Sequence, residues 1–242
     1  MTNEIVALSV TAVSIGFLHT ITGPDHYLPF IVLSKARKWS SLKTILITAL
    51  CGIGHVGSSI VIGAIGIITG LSIARIQIFE GYRGSLAAWL FIGFGLLYCL
   101  WGLWRGIRNK GHHHHHHRHV HDDGNFHKHE HQHSQTKEHI HEHAEEKKPN
   151  MTPWILFTIF VFGPCEPLIP LLMLPAAKQS SSGVVVVAAI FSLTTIVTMI
   201  GMVLLPLFGL KMLPMKFLER YMHAVAGFTI FICGIGIEFI NW

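Results

Sequence analysis

His19, Asp25 and His26 are the residues of this chain best placed to do chemistry, because they interrupt an apolar run long enough to cross a bilayer. Between positions 5 and 33 they are the only acidic, basic or imidazole side chains. An Asp near the middle of a bilayer costs about 2.5–3.5 kcal/mol on insertion scales, so it marks a functional position. Two imidazoles and a carboxylate form the nitrogen and oxygen donor set that suits a divalent transition metal. In a straight helix His19 and His26 would stand about 10.5 Å apart along the axis, with Asp25 turned off their shared face. Gly23-Pro24 lies between the two histidines, and a proline there removes an N–H and crowds the preceding turn. Unwinding at that point lets His19, Asp25 and His26 converge on one ion within about 2.0–2.2 Å.

Other residues join the candidate set. His55 stands in Gly52-Ile53-Gly54-His55-Val56-Gly57-Ser58-Ser59, where small side chains permit close approach of another helix and an imidazole could serve as a fourth ligand. Glu166 follows Cys165 in Gly163-Pro164-Cys165-Glu166-Pro167, deep in another apolar run. A carboxyl group at that depth is either protonated or paired with a cation, which makes Glu166, with Cys165 beside it, a candidate for charge compensation or proton coupling. His223 falls at the start of the last apolar run, where a solvated, interfacial role is expected. Cys51, Cys99, Cys165 and Cys233 all lie in apolar runs without a Cys-x-x-Cys pair, so neither a disulfide framework nor a zinc knuckle is expected.

One segment has a different character. Residues 112–143 hold 15 of the 19 histidines: His112, His113, His114, His115, His116 and His117, then His119 and His121, then further irregularly spaced ones. An affinity tag would be terminal and regular, so the tract reads as native. It has no apolar periodicity and is expected to be disordered. Neutral imidazoles at this density bind nickel, cobalt, copper or zinc weakly and in many arrangements. A pH sensor is the other reading, since imidazole titrates near pH ~6.5 and protonation releases metal.

The elements that must position these residues follow from composition. The chain has 242 residues, half of them hydrophobic and only 13% charged, with a mean hydropathy of +0.49. These values describe a polytopic membrane protein. Met-Thr-Asn-Glu at the start lacks the basic region and cleavage site of a secretory signal, so the first run is expected to stay as a span. Six spans are expected, over 5–33, 45–71, 86–104, 154–175, 184–208 and 222–240. Lys35, Arg37, Lys38 and Lys43 fill the first loop, Arg105, Arg108 and Lys110 open the third, and Lys211, Lys216 and Arg220 fill the fifth. The second holds Arg75 and Arg83, and the fourth only Lys178. This bias places loops one, three and five in the cytoplasm and both termini outside, with Trp101, Trp104 and Trp154 in an interfacial belt. Basic residues that set orientation give no reason to expect nucleic-acid binding.

Gly23-Pro24-Asp25-His26-Tyr27-Leu28-Pro29 matches Gly163-Pro164-Cys165-Glu166-Pro167-Leu168-Ile169-Pro170, and Gly93-Phe94-Gly95 matches Gly234-Ile235-Gly236. Three spans per repeat require the second half to enter the membrane inverted. The expected fold is therefore an all-α integral membrane protein, a 3+3 inverted repeat with broken first and fourth helices that meet near the midplane. The expected units are 1–104, a His-rich loop over 105–150, and 151–242.

The chain resembles the nickel/cobalt transporter family. The likeness rests on His19 followed by Asp25-His26, on Gly54-His55-Val56-Gly57-Ser58, which is similar to the family's Gly-His-Ser element, and loosely on Gly163-Pro164-Cys165-Glu166. It covers most of the membrane part, and six-span efflux members of the broader group also carry a His-rich loop. The resemblance implies a secondary exporter of a divalent transition metal, nickel or cobalt foremost, in a bacterial cytoplasmic membrane. The ion is cargo and no permanently bound cofactor is expected; the lipid bilayer is the other partner, and a homo-oligomer stays open. No phosphate-cradling Walker sequence is present, so an ion gradient or a partner must supply energy. An enzyme is not expected. Two alternatives remain: a sulfite-like anion exporter using half-helix N-termini, and a thiol/disulfide carrier, which would want a cysteine in each half where the first half has Asp25.

Overall fold

The computed structural model describes residues 3–108, 151–178, 180–210 and 219–240. Among these, every regular element is helical: α1 Asn3–Thr22, a 3-10 turn Pro24–His26, α2 Leu28–Ala36, α3 Ser41–Thr69, α4 Ile73–Arg108, α5 Thr152–Phe162, α6 Leu168–Ala177, α7 Ser181–Leu210, a 3-10 turn Glu219–Tyr221, α8 Met222–Ile235 and a π turn Gly236–Ile240. The His-rich tract lies outside the described residues.

The helices are inside-out relative to a soluble protein. Along α3, Leu42, Leu46, Leu50, Ile53, Val61, Ile65 and Ile68 are exposed, while Thr44, Thr48, His55 and Ser59 are buried. Such a helix is stable only where the outer solvent is hydrocarbon and the polar groups find partners inside. Among the described residues, five helices are long and apolar enough to cross a membrane: α1, α3, α4, α7 and Met222–Ile240.

The apolar run expected at 154–175 is two short helices, α5 and α6. Gly163 takes an extended conformation with φ −62° and ψ 128°, and Pro164 and Pro167 withhold two N–H groups, so α5 cannot continue. The first run breaks in the same way at Gly23, with φ −90° and ψ 94°. The expected second loop is corrected more substantially. Arg75 and Arg83 are in α4, which begins at Ile73, and Arg83 is buried with Glu80. Neutralisation of Arg83 by Glu80 three residues earlier allows a charged stretch to continue as helix. At its other end α4 runs through Arg105 to Arg108, past the boundary expected at 104.

Two contacts identify the ends of the bundle. Lys178 Nζ pairs with Glu4 at 2.7 Å, joining the start of α1 to the end of α6. At the opposite end Arg220 Nε donates to the Gly106 carbonyl at 2.7 Å. There Trp101 and Trp104 lie under Arg105 and Arg108, whose guanidinium carbons stand 5.3 and 4.6 Å from the ring centres.

Helices α4 and α8 run antiparallel in close contact. Gly95 meets the backbone of Phe231 and Gly227 that of Cys99, each where a Cβ would have to sit. Helix α1 packs on α7, α3 on α5, α6 and α7, α2 on α8, and α4 on α5 and α6. Replacing Gly227 by Leu should therefore force α4 and α8 apart, costing about 1–3 kcal/mol. Gly201→Ala, where a Cβ meets nothing within 4 Å, should stay within about 0.5 kcal/mol. Thermal melting of the detergent-purified variants checks this, and equal melting temperatures would contradict it.

Candidate metal centre

The centre is built at the break between α1 and α2. Gly23 N–H still bonds the His19 carbonyl at 3.1 Å, closing the last turn of α1, and His26 N–H then turns back to the Gly23 carbonyl at 3.1 Å. His26 is thereby folded over the end of α1. A Cβ on Gly23 would come within 2.5 Å of His26 Nδ1 and 2.9 Å of Asp25 Oδ1, so only glycine leaves room for this fold.

His55 completes the group from α3. Gly54 lets α5 approach, its missing Cβ being filled by Val161 and Phe157. Ligand atoms of His19, His26 and His55 all lie within 4.8 Å of one another. The Nε2 atoms of His26 and His55 stand 3.3 Å apart. Two nitrogens bound tetrahedrally to one ion at about 2.0–2.1 Å stand about 3.3–3.4 Å apart, so this pair already has a chelating separation. His19 lies edge-on to His26 with ring centres 4.7 Å apart. Its Nε2 is buried and has no hydrogen-bond partner among the described residues. A buried imidazole nitrogen without a partner, in a ring grouped with two others, suits a cation better than it suits packing.

Asp25 lines the same cavity as the three imidazoles, with its Oδ1 on the Nδ1 side of His26. His26 Nδ1 is 3.1 Å from the Gly23 carbonyl and 3.2 Å from Asp25 Oδ1. Both are acceptors, so the proton sits on Nδ1 and the Nε2 lone pair points to the shared centre. A carboxylate behind a ligating histidine fixes its tautomer and raises its basicity. The same side chain supplies negative charge against a bound dication.

A cavity of ≈ 50 Å³ opens beside the three imidazoles, walled by Phe91, Phe160, Gly163 and Pro164. His19, Pro164 and Ile237 also line a larger vestibule of ≈ 500 Å³, which carries Glu166 and Glu238. Glu166 is exposed in the α5–α6 break, so it faces this vestibule instead of being sealed in the membrane interior. Cys165 is fully buried, its N–H bonded to Ser59 Oγ at 3.1 Å. On the other side of the imidazoles, Phe160 packs against Phe30 with ring centres 4.9 Å apart and against Phe91 at 6.0 Å.

His223 is half-buried at the far end of the bundle. Its Nδ1 lies 2.8 Å from the Tyr98 hydroxyl, which accepts from Arg37 Nε at 2.9 Å, so this half-buried residue beside Trp101 is hydrogen-bonded as well. The loop candidates His112, His113, His114, His115, His116, His117, His119 and His121 lie outside the described residues. So does His129-Glu130-His131-Gln132-His133, which has the His-Glu-x-x-His spacing of helical zinc sites. In a tract where nearly every second residue is histidine, composition alone produces that spacing.

Sequence reasoning missed the pair Glu80 and Arg83, buried one turn apart on α4. Two unlike charges at i,i+3 preceding an apolar run are its only sequence signal.

Replacing His26 or His55 by Ala should abolish binding of a divalent metal probe at this centre, whereas Asp25→Ala should weaken it about 10–100-fold. Titration of the purified variants followed by cobalt absorption checks this. Loss in Asp25→Ala as complete as in His55→Ala would mean that the carboxylate ligates directly. In comparisons with protein-family models, curated proteins and solved structures, the chain matches none.

Proposed function

We propose that this protein is a secondary transporter of divalent transition-metal ions, nickel or cobalt foremost, working as an exporter. The observation that carries the reading is the convergence of His19, His26 and His55, whose ligand atoms lie within 4.8 Å at a helix break inside an apolar bundle. Buried ionisable groups in such a setting mark ion pathways. The likeness of His19 and Asp25-His26 to the nickel/cobalt transporter motif supports the choice of cargo, and the His-rich loop supports export.

Transport needs a site that opens alternately to two sides, and the packing supports an inverted repeat of three crossings each. Exchanging α1/α2, α3 and α4 with α5/α6, α7 and α8 turns the α1–α7 contact into the α5/α6–α3 contact and the α2–α8 contact into the α6–α4 contact. The α3–α7 and α4–α8 contacts map onto themselves. Each half then contributes one broken helix to the centre of the bundle. In the present conformation the vestibule with Glu166 and Glu238 leads to His19, while Phe30, Phe91 and Phe160 close the opposite side. Carboxylates along the approach lower the energy of a cation there. The positive-inside bias assigns the vestibule to the outside and the aromatic closure to the cytoplasmic side.

An ion arriving from the cytoplasm would displace protons from imidazoles, because only neutral histidine ligates. Release outward then needs loss of one ligand, and His19 on the end of α1 is the one that borders the vestibule. An anion carrier would instead present permanent positive charge, but Arg83 is turned to carbonyl groups of α5. A thiol carrier would pair two cysteines across the breaks, where this chain has Cys165 and Asp25.

Cells expressing the chain should hold less nickel or cobalt and grow at higher concentrations of it, with zinc and copper affected less. His19→Ala, His26→Ala and His55→Ala should return both readouts to those of cells without the protein. Metal content that does not differ between wild type and these variants would reject the proposal. Deleting residues 112–143 should shift the concentration dependence without abolishing transport, and complete loss would make the loop part of the pathway.

A further inference from the structure

The break between α1 and α2 is held mainly by bonds within residues 19–27 and by the His26–His55 contact. The break between α5 and α6 is held from outside. Arg83 Nη2 donates to the Gly163 carbonyl at 2.7 Å and the Val161 carbonyl at 3.3 Å, and Arg83 Nε donates to the Phe162 carbonyl at 3.2 Å. These are carbonyl groups that α5 leaves without helical partners, and in hydrocarbon each must be satisfied by protein. A guanidinium is suited to this because its planar fork serves several acceptors together. Glu80 cancels its charge through the adjacent Nη1, and Ser59 Oγ donates to Glu80 Oε2 at 3.4 Å.

Two routes lead from Arg83 to the metal centre. Through Gly163, it fixes the wall against which the His55 ring lies: a Cβ on Gly163 would stand 3.2 Å from His55 Nδ1. Through Ser58, it reaches the backbone of His55 itself, since Arg83 Nη2 donates to Ser58 Oγ at 2.9 Å and Ser58 Oγ donates to the His55 carbonyl at 2.8 Å.

We propose that Arg83, neutralised by Glu80, is the positioning residue of the metal site, locking the α5–α6 break and His55 together so that the His55 imidazole faces His19 and His26. The proposal rests on the metal-transport reading and adds a residue to it that touches no ion. Arg83 determines how well the site binds, and through which geometry, while the three histidines determine whether it binds.

The test uses the full chain in detergent, titrated with cobalt and then with nickel. The intramembrane site is the part of the cobalt absorption spectrum that His55→Ala removes. Arg83→Gln should raise the dissociation constant of that component about 10–100-fold, the range for residues that orient a metal ligand. It should also change the band positions, which report ligand geometry. Arg83→Lys, a point charge that serves fewer of the carbonyls at once, should recover part of both. Should Arg83→Gln fail to fold, Ser58→Ala keeps the clamp on α5 and removes only the link to the His55 backbone. It should shift the bands in the same direction with a smaller loss of affinity. Wild-type spectra and dissociation constants in folded Arg83→Lys and Ser58→Ala proteins would overturn the positioning role alone. A wild-type protein with no component sensitive to His55→Ala would overturn the transport reading and this proposal with it.

Discussion

The structure depends on one constraint: backbone that leaves a helix inside hydrocarbon must have its N–H and C=O groups satisfied by the protein itself. Two Gly-Pro pairs break helices here, and each break is made tolerable by side chains that have other work to do. At Gly23 the freed carbonyl is taken by the backbone and the ring of His26. At Val161, Phe162 and Gly163 the freed carbonyls are taken by Arg83. The groups that repair the backbone are thus the groups that build and brace the site, so the site and the breaks cannot be separated.

This coupling explains why so much polar material is tolerated in an apolar bundle. Glu80 and Arg83 are almost fully buried, and a buried ion pair seldom stabilises a protein more than apolar packing would. Its presence is better understood as specification: it sets where α5 ends and how α3 meets the α5–α6 break. Asp25 has the corresponding part in the other half, orienting His26 from behind. Around them, Gly95 and Gly227 bring α4 and α8 to backbone contact.

Much of this was legible in the sequence, for identifiable reasons. Proline has no N–H, so Gly23-Pro24 and Gly163-Pro164 announce breaks wherever the surrounding run is apolar. His19, Asp25, His26 and His55 stand out because no other carboxylate, imidazole, lysine or arginine lies in the apolar runs 5–33 and 45–71. Their convergence was only partly legible, because the 3.3 Å approach of His26 to His55 depends on packing between segments 29 residues apart. Asp25 reads as a further ligand, and the structure brings it to the same cavity with its Oδ1 3.2 Å from His26 Nδ1. Arg83 was read as a loop charge because a window of hydropathy counts charges and does not see their partners. Glu80 is one turn away on α4, but the other partners are distant in sequence: Ser58 by 25 residues and the Gly163 carbonyl by 80.

Three imidazoles, from α1, the following turn and α3, are proposed to share one cation. X-ray absorption spectroscopy of the nickel-loaded protein lacking residues 112–143 tests it most directly, because the loop histidines are then absent from the signal. Three imidazole nitrogens are expected at about 2.0–2.1 Å, with the multiple scattering of histidine rings. A shell of oxygen atoms without imidazole scattering, or spectra unchanged by His55→Ala, would contradict it.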